Sequence, residues 1–250
     1  MNTTHTKQER PILFSGAMVR AILDGHKTQT RRVVKPVGND GGYVLFDSGN
    51  GAWPYRSDDG ESCFHTVKRG GNFYLDETPI YCPYGQNGDR LWVRETWKYN
   101  DWTENGEPFI KFAADGDVTC PKVSEDWSDR IVDIWEILSR ESNFNIDNCA
   151  RDRKWRPSIH MPRWASRILL EIVSVRVERL NDISETDAKA EGVTNTPYPE
   201  RFLGSDRRVL DSPIHRMLFR DLWQSINGHG SCDLNPWVWA IEFRRVDSNG

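Results

Sequence analysis

Residues 168–180 constrain the fold more than any other stretch. Apolar side chains stand at Ile168, Leu170 and Ile172, all even positions, and then at Val173, Val175 and Val177, all odd. Alternation of this kind marks a strand with one buried face, and a slip of one residue moves the apolar set to the other face. A strand that changes its buried face midway carries a β-bulge or turns a barrel corner. Neither belongs to a doubly wound parallel sheet. A period-two pattern recurs at Leu91–Trp97, a further strand is expected around Phe109–Phe112, and Trp237, Trp239, Ile241 and Phe243 alternate with Glu242 and Arg244 near the end.

Helical patterns fall between these strands. Ser15 caps a short helix with Met18, Val19, Ile22 and Leu23 on one face, and Gly25 ends it in a left-handed turn. Ser184 and Asp187 resemble a capping box, with Ile183 and Ala188 as its hydrophobic staple and Gly192 as its stop. Ser212-Pro213 opens a third helix, with Ile214, Met217, Leu218, Leu222 and Ile226 on its apolar face and Gly228 closing it. Short strands of switching parity with helices between them predict an α+β fold around a small mixed β-barrel. Residues 1–10 read as disordered, 11–246 as one domain and 247–250 as a tail. Two insertions are expected, at about 37–85 and 99–150, the second with a helix near Asp133–Arg140.

Charge and cysteine usage narrow the function classes. A net charge of −4 gives no overall basic field of the kind that drives non-specific nucleic-acid binding, so any such contact must come from a local patch. The N-terminal stretch is polar and no run is long enough to cross a bilayer, which predicts a cytoplasmic protein with no membrane partner. Five scattered cysteines without a C-x-x-C pair read as reduced thiols, so neither a metal site, another cofactor nor a disulfide framework is expected. The oligomeric state leaves no signal.

The stretch from Gly25 to Arg32 carries the most chemistry. It presents Lys27, two threonine hydroxyls and Arg31-Arg32 just after a helix end. Such a run is either a solvated loop or a set of donors for a flat polar or anionic ligand. Its pattern, G-x-K-x-x-T-x-R, resembles the signature of the ASCH domain family, a relative of the PUA family of RNA-binding barrels. Residues 11–36, 86–98, 156–195 and 212–246, roughly half the chain, are similar to a larger, phage or prophage type of ASCH domain with long insertions.

The resemblance implies a PUA-like barrel and a pocket for a nucleobase. By similarity to small bacterial ASCH enzymes that remove the acetyl group from acetylcytidine, it places functional roles on Lys27, Thr30 and Arg32, with Glu191 at the end of a short helix as a further match. Acyl-amide hydrolysis needs a nucleophile, a base and a stabiliser for the oxyanion. Thr30 offers a hydroxyl, Lys27 a base if burial lowers its pKa, Glu191 an orienting group or acid, and Arg32 a partner for phosphate, ribose or oxyanion. The alternative is that Lys27 and Glu191 form an ordinary surface ion pair worth at most about 1 kcal/mol.

Further substrate-contacting candidates are Arg94, Glu95 and Trp97 beyond the apolar part of a strand, and His160, Met161 and Arg163 before the long one. The competing reading makes Trp97 a core residue and His160 structural. Three functions stay open: an amidohydrolase acting on acylated cytidine, a non-catalytic reader of RNA or a modified base, and a metal-independent ribonuclease. The expected partner is a modified nucleoside or single-stranded RNA.

Overall fold

The computed structural model describes residues 7–34, 82–100, 108–121, 154–193 and 214–246 with their side chains, and the backbone of strands at 43–44, 55–56, 62–68, 75–81 and 101–102. The fold is α+β. The described helices are α1 (Gly16–Leu23), α2 (Glu185–Ala190) and α3 (Ile214–Asn227). The strands are β1 (Glu9–Leu13), β2 (Gln29–Val33), β3 (Tyr43–Val44), β4 (Tyr55–Arg56), β5 (Ser62–Lys68), β6 (Leu75–Tyr81), β7 (Arg90–Arg94), β8 (Trp97–Trp102), β9 (Pro108–Phe112), β10 (Val118–Thr119), β11 (Leu169–Arg179) and β12 (Trp237–Val246). None of the described helices is long and apolar enough to cross a membrane.

The chain divides into two compact units. The first comprises Met1–Gln8, Ala21–Arg90 and Glu171–Arg245. There β11, β12 and β2 are successive neighbours, and β12 runs antiparallel to β2 with Gln29 opposite Glu242, Thr30 opposite Ile241 and Arg32 opposite Trp239. The same unit holds β3, β5 and β4 in that order, with β6 on β5, inside the stretch expected as an insertion. The parity change in β11 appears in part: Leu170 and Ile172 are buried, then Val177, with Val175 only half-buried. Val173 is exposed, so the new phase begins after it.

Among the described residues the sheets are open, and no strand pairing closes a barrel. Helices take over the covering that closure would provide. Leu180, Ile183 and Ala188 pack with Leu218, Phe219, Trp223 and Val238, so α2 and α3 bury that part of the unit's apolar surface. Ile214, Leu218 and Leu222 of the expected α3 face pack into this cluster, but the face is rotated so that Phe219 and Trp223 are also inside while Met217 and Ile226 are exposed. The two large rings bury more apolar area than Met217 and Ile226 would, and they set the rotation. The Ser212-Pro213 start and the helix expected near 133–140 lie outside the described residues.

Helix α2 is short and depends on its ends. The Ser184 hydroxyl accepts the backbone N–H of Asp187 at 3.0 Å, as the capping-box pattern implies, and Gly192 follows with φ +84°. A Ser184→Ala protein is expected to lose about 1 kcal/mol of stability, measurable by urea unfolding.

The second unit comprises Glu9–Arg20, Leu91–Leu170 and Val246–Gly250. Its β1 starts at Glu9, inside the stretch expected to be disordered, and neighbours β7. The single strand expected over 91–97 is two strands. Leu91, Trp92 and Val93 are all buried, so β7 is covered on both faces, and the chain breaks at Glu95-Thr96 before β8. Strands β8, β9 and β10 form a three-stranded antiparallel sheet whose inner face contributes Trp97, Ile110 and Phe112 to a core with Met161 and Ala165.

Candidate functional site

The end of α1 delivers Lys27 into the first unit. Gly25 turns the chain at φ +74°, and the N–H groups of His26 and Lys27 both return to the carbonyl of Ala21. Lys27 then forms an isolated antiparallel bridge with Glu191, while Thr28 N–H donates to Ala190 O at 2.9 Å. Gly192 makes this approach possible. A Cβ built on it would lie 2.9 Å from Lys27 Cβ and 3.0 Å from Ala21 Cβ, closer than real side chains approach.

The Lys27 ammonium is enclosed. Its side chain is 0% exposed and that of Glu191 4%. Nζ donates to Gln29 O at 2.8 Å, Glu191 O at 2.9 Å and Glu191 Oε2 at 2.7 Å, which uses all three N–H bonds. The surface-pair alternative is therefore corrected: this is a buried ion pair. Burial pulls the Lys27 pKa below its ordinary value; Glu191 opposes this by charge and hydrogen bond, and Arg32 and Arg31 add to the lowering.

Arg31 completes the arrangement. Its Nη1 donates to Glu191 Oε1 at 3.1 Å and to Gln29 Oε1 at 2.6 Å, while Nε and Nη2 both bond to Glu178 Oε1. Each Glu191 oxygen thus meets a different cation. Arg176 extends the network, reaching Glu178, Asp187 and Glu242. Sequence reasoning placed Arg31 in the basic run but gave it no role, gave Asp187 only its place in the capping box, and passed over Gln29 and Glu178. The available signal was parity: Gln29 and Arg31 share one face of β2, and Gln29 bonds to its cross-strand partner Glu242 at 3.0 Å.

The same parity separates Thr30 from this network. Thr30 and Arg32 take the other face of β2, with Ile241 and Trp239. Thr30 is buried, and among the described contacts its hydroxyl meets neither Lys27 nor Glu191. Burial lowers the Arg32 pKa from its ordinary value, against the charges of Tyr84 and Glu191. Lys27, Glu191 and Arg32 therefore sense one another electrostatically, while Thr30 stands apart.

Arg94, Glu95, Trp97, His160, Met161 and Arg163 all lie in the second unit. Arg94 stacks over Trp92 at 4.6 Å and donates to Ile159 O at 3.3 Å. Glu95 is buried and held by Arg167 at 2.9 and 3.0 Å; burial raises its pKa even though the Arg167 bonds pull the other way. Met161 Sδ accepts from Glu95 N–H at 3.3 Å. Trp97, 2% exposed, packs edge-on against Tyr99 and Trp164, which is the core placement. His160 is exposed, and Arg163 pairs with Glu9 at 2.7 Å.

The network carries a pH signature. Burial alone would push Asp187 up, but Arg176, Ser184, Arg31 and Gln29 together hold its carboxyl below the usual range. A carboxyl with a lowered folded pKa adds stability above its unfolded value of about 3.9, and this is lost as pH falls through the folded value. Asp187→Asn is expected to be less stable than the parent at pH 6, with the difference shrinking toward pH 3 in urea titrations. A constant difference would contradict the linkage.

Compared with protein-family models, curated proteins and solved structures, the chain matches none.

Proposed function

We propose that this chain is a cytoplasmic, PUA-like protein of ASCH type that hydrolyses an acyl group from the exocyclic amine of cytidine. The observation that carries the reading is the buried Lys27–Glu191 pair, two residues 164 positions apart that the resemblance linked and that meet at 2.7 Å. A buried lysine with a lowered pKa is the equipment of a general base.

In this reading the neutral Lys27 amine keeps two N–H bonds and gains a lone pair, so one of its three acceptors is released. The lone pair takes a proton from the attacking group, whose oxygen bonds to the acyl carbon. Collapse breaks the C–N bond, the proton passes to the departing cytosine amine, and the acyl group leaves as a carboxylate. Because Thr30 faces away from the network, water is assigned the attack. Arg32 shares the face of Thr30 and is assigned the ribose or a phosphate rather than the reacting carbonyl. Thr30→Val is then expected to retain turnover, and complete loss in a folded Thr30→Val protein would return the nucleophile to the hydroxyl.

One observation favours a second reading, a non-catalytic reader: every Lys27 N–H ends on a protein acceptor, so the ammonium as described offers nothing to a ligand. Incubation with acetylcytidine, followed by mass spectrometry, separates the two. Loss of the acetyl mass supports the hydrolase; binding of intact nucleoside supports the reader.

A further inference from the structure

The sheet formed by β8, β9 and β10 has two chemically different faces. Trp97 lies opposite Phe112 and Tyr99 opposite Ile110, and these line the core side. The alternate row runs across all three strands as Lys98, Lys111 and Val118 on the outer face. Lys98 and Lys111 are directly opposed on neighbouring strands. Like charges in that position repel, and a sheet built only for stability would not place them there.

Neither lysine forms an ion pair among the described residues. Lys98 Nζ instead sits 4.8 Å from the ring centroid of Trp155, which is 46% exposed. Asp101, one bulge further along and opposite Phe109, is the nearest acidic residue in register. The other acids at this sheet, Asp115 and Asp117, are already engaged by Arg167. The outer face thus combines two cations on rigid strands with an accessible aromatic ring, inside a protein of net charge −4.

We propose that this face is a docking surface for single-stranded RNA, with a phosphate bridging Lys98 and Lys111 and a base stacked on Trp155. An unpaired strand supplies both groups that the face lacks, an anion beside an unstacked ring; a duplex buries its bases, and an acidic peptide offers no flat partner for the tryptophan. The choice of RNA over DNA rests on the cytidine reading above. The surface itself does not depend on hydrolysis.

The test is fluorescence anisotropy of the full chain with a labelled ten-nucleotide uridine RNA, the matching DNA, and anionic phosphatidylglycerol vesicles, from 50 to 200 mM salt. Wild type is expected to bind RNA in preference to the other two. Lys98→Gln with Lys111→Gln should lower the slope of log affinity against log salt by about 0.7, the value for one phosphate contact on a single strand. Trp155→Ala should weaken binding about tenfold or more at every salt concentration. Thermal unfolding of the double variant should show an unchanged or raised Tm, because it relieves repulsion. Absent RNA binding, an unchanged slope in the folded double variant, equal binding of DNA, or binding of vesicles in place of RNA would each overturn the proposal. The Lys98→Gln, Lys111→Gln double variant should hydrolyse acetylcytidine as wild type does; this separates failure of the surface from failure of the hydrolase.

Discussion

Replacing Lys27 with methionine is expected to cost about 3–5 kcal/mol of folding stability, together with all turnover of an acylated cytidine. The substitution keeps the length of the side chain but deletes the charge, so the loss is electrostatic rather than a cavity effect. It strands the Glu191 carboxylate, 4% exposed, beside one remaining cation, and leaves the carbonyls of Gln29 and Glu191 without their Nζ donor. Removing one partner of a buried pair costs far more than the pair contributes against an apolar replacement, because an uncompensated charge remains. Lys27→Met combined with Glu191→Gln should therefore recover part of the loss, with a coupling of about 0.5–3 kcal/mol between the sites. Urea unfolding of the four proteins gives that number. A single-variant loss below about 1 kcal/mol would place the pair among ordinary surface bridges and contradict the burial.

Gly192→Ala is expected to cost about 2–5 kcal/mol by a different route. An L-residue at φ +84° carries roughly 1–2 kcal/mol of backbone strain. The new methyl group would also press on Lys27 Cβ at 2.9 Å and Ala21 Cβ at 3.0 Å, which adds about 1–3 kcal/mol of overpacking. Gly25→Ala is the internal control. Gly25 has a similar φ of +74° but nothing within 4 Å of a built Cβ, so it should lose only the strain. Measured side by side in urea, the difference between the two variants isolates the contact of Gly192 with Lys27. Equal losses would show that the chain relaxes around the methyl and that the approach is not tight.

Local patterns were legible wherever a few residues decide the outcome. Ser184 and Gly192 mark the ends of α2, Gly25 marks the turn after α1, and the parity change between Ile172 and Val177 follows from alternation alone. What the patterns could not supply was covering from a distance. Leu91-Trp92-Val93 looked half-buried, yet all three are buried, so β7 is covered on both faces. The face of α3 was legible at Ile214, Leu218 and Leu222 and missed at Phe219 and Trp223, since which side meets the core depends on where those two rings find space.

The candidate site divides along the same line. The meeting of Lys27 with Glu191 came from resemblance, because no spacing rule joins positions so far apart. Arg31 and Gln29 were within reach of a parity argument, since alternate residues of β2 must share a face, but the partner that gives Arg31 its role is Glu191 itself. Thr30 shows the converse. It belongs to the quoted pattern, and the alternation of β2 turns it away from the residues with which the pattern groups it.

The most direct test is a time course of acetylcytidine with purified wild type and with Lys27→Met, each first shown to be folded by circular dichroism at the assay temperature. Lys27→Arg serves as the charge-conserving comparison if the methionine protein is unfolded there. Wild type should release acetate and cytidine, while the folded variant leaves the nucleoside intact. Intact acetylcytidine with folded wild type, or equal release by wild type and variant, would contradict the assignment of Lys27 as the base of an amidohydrolase.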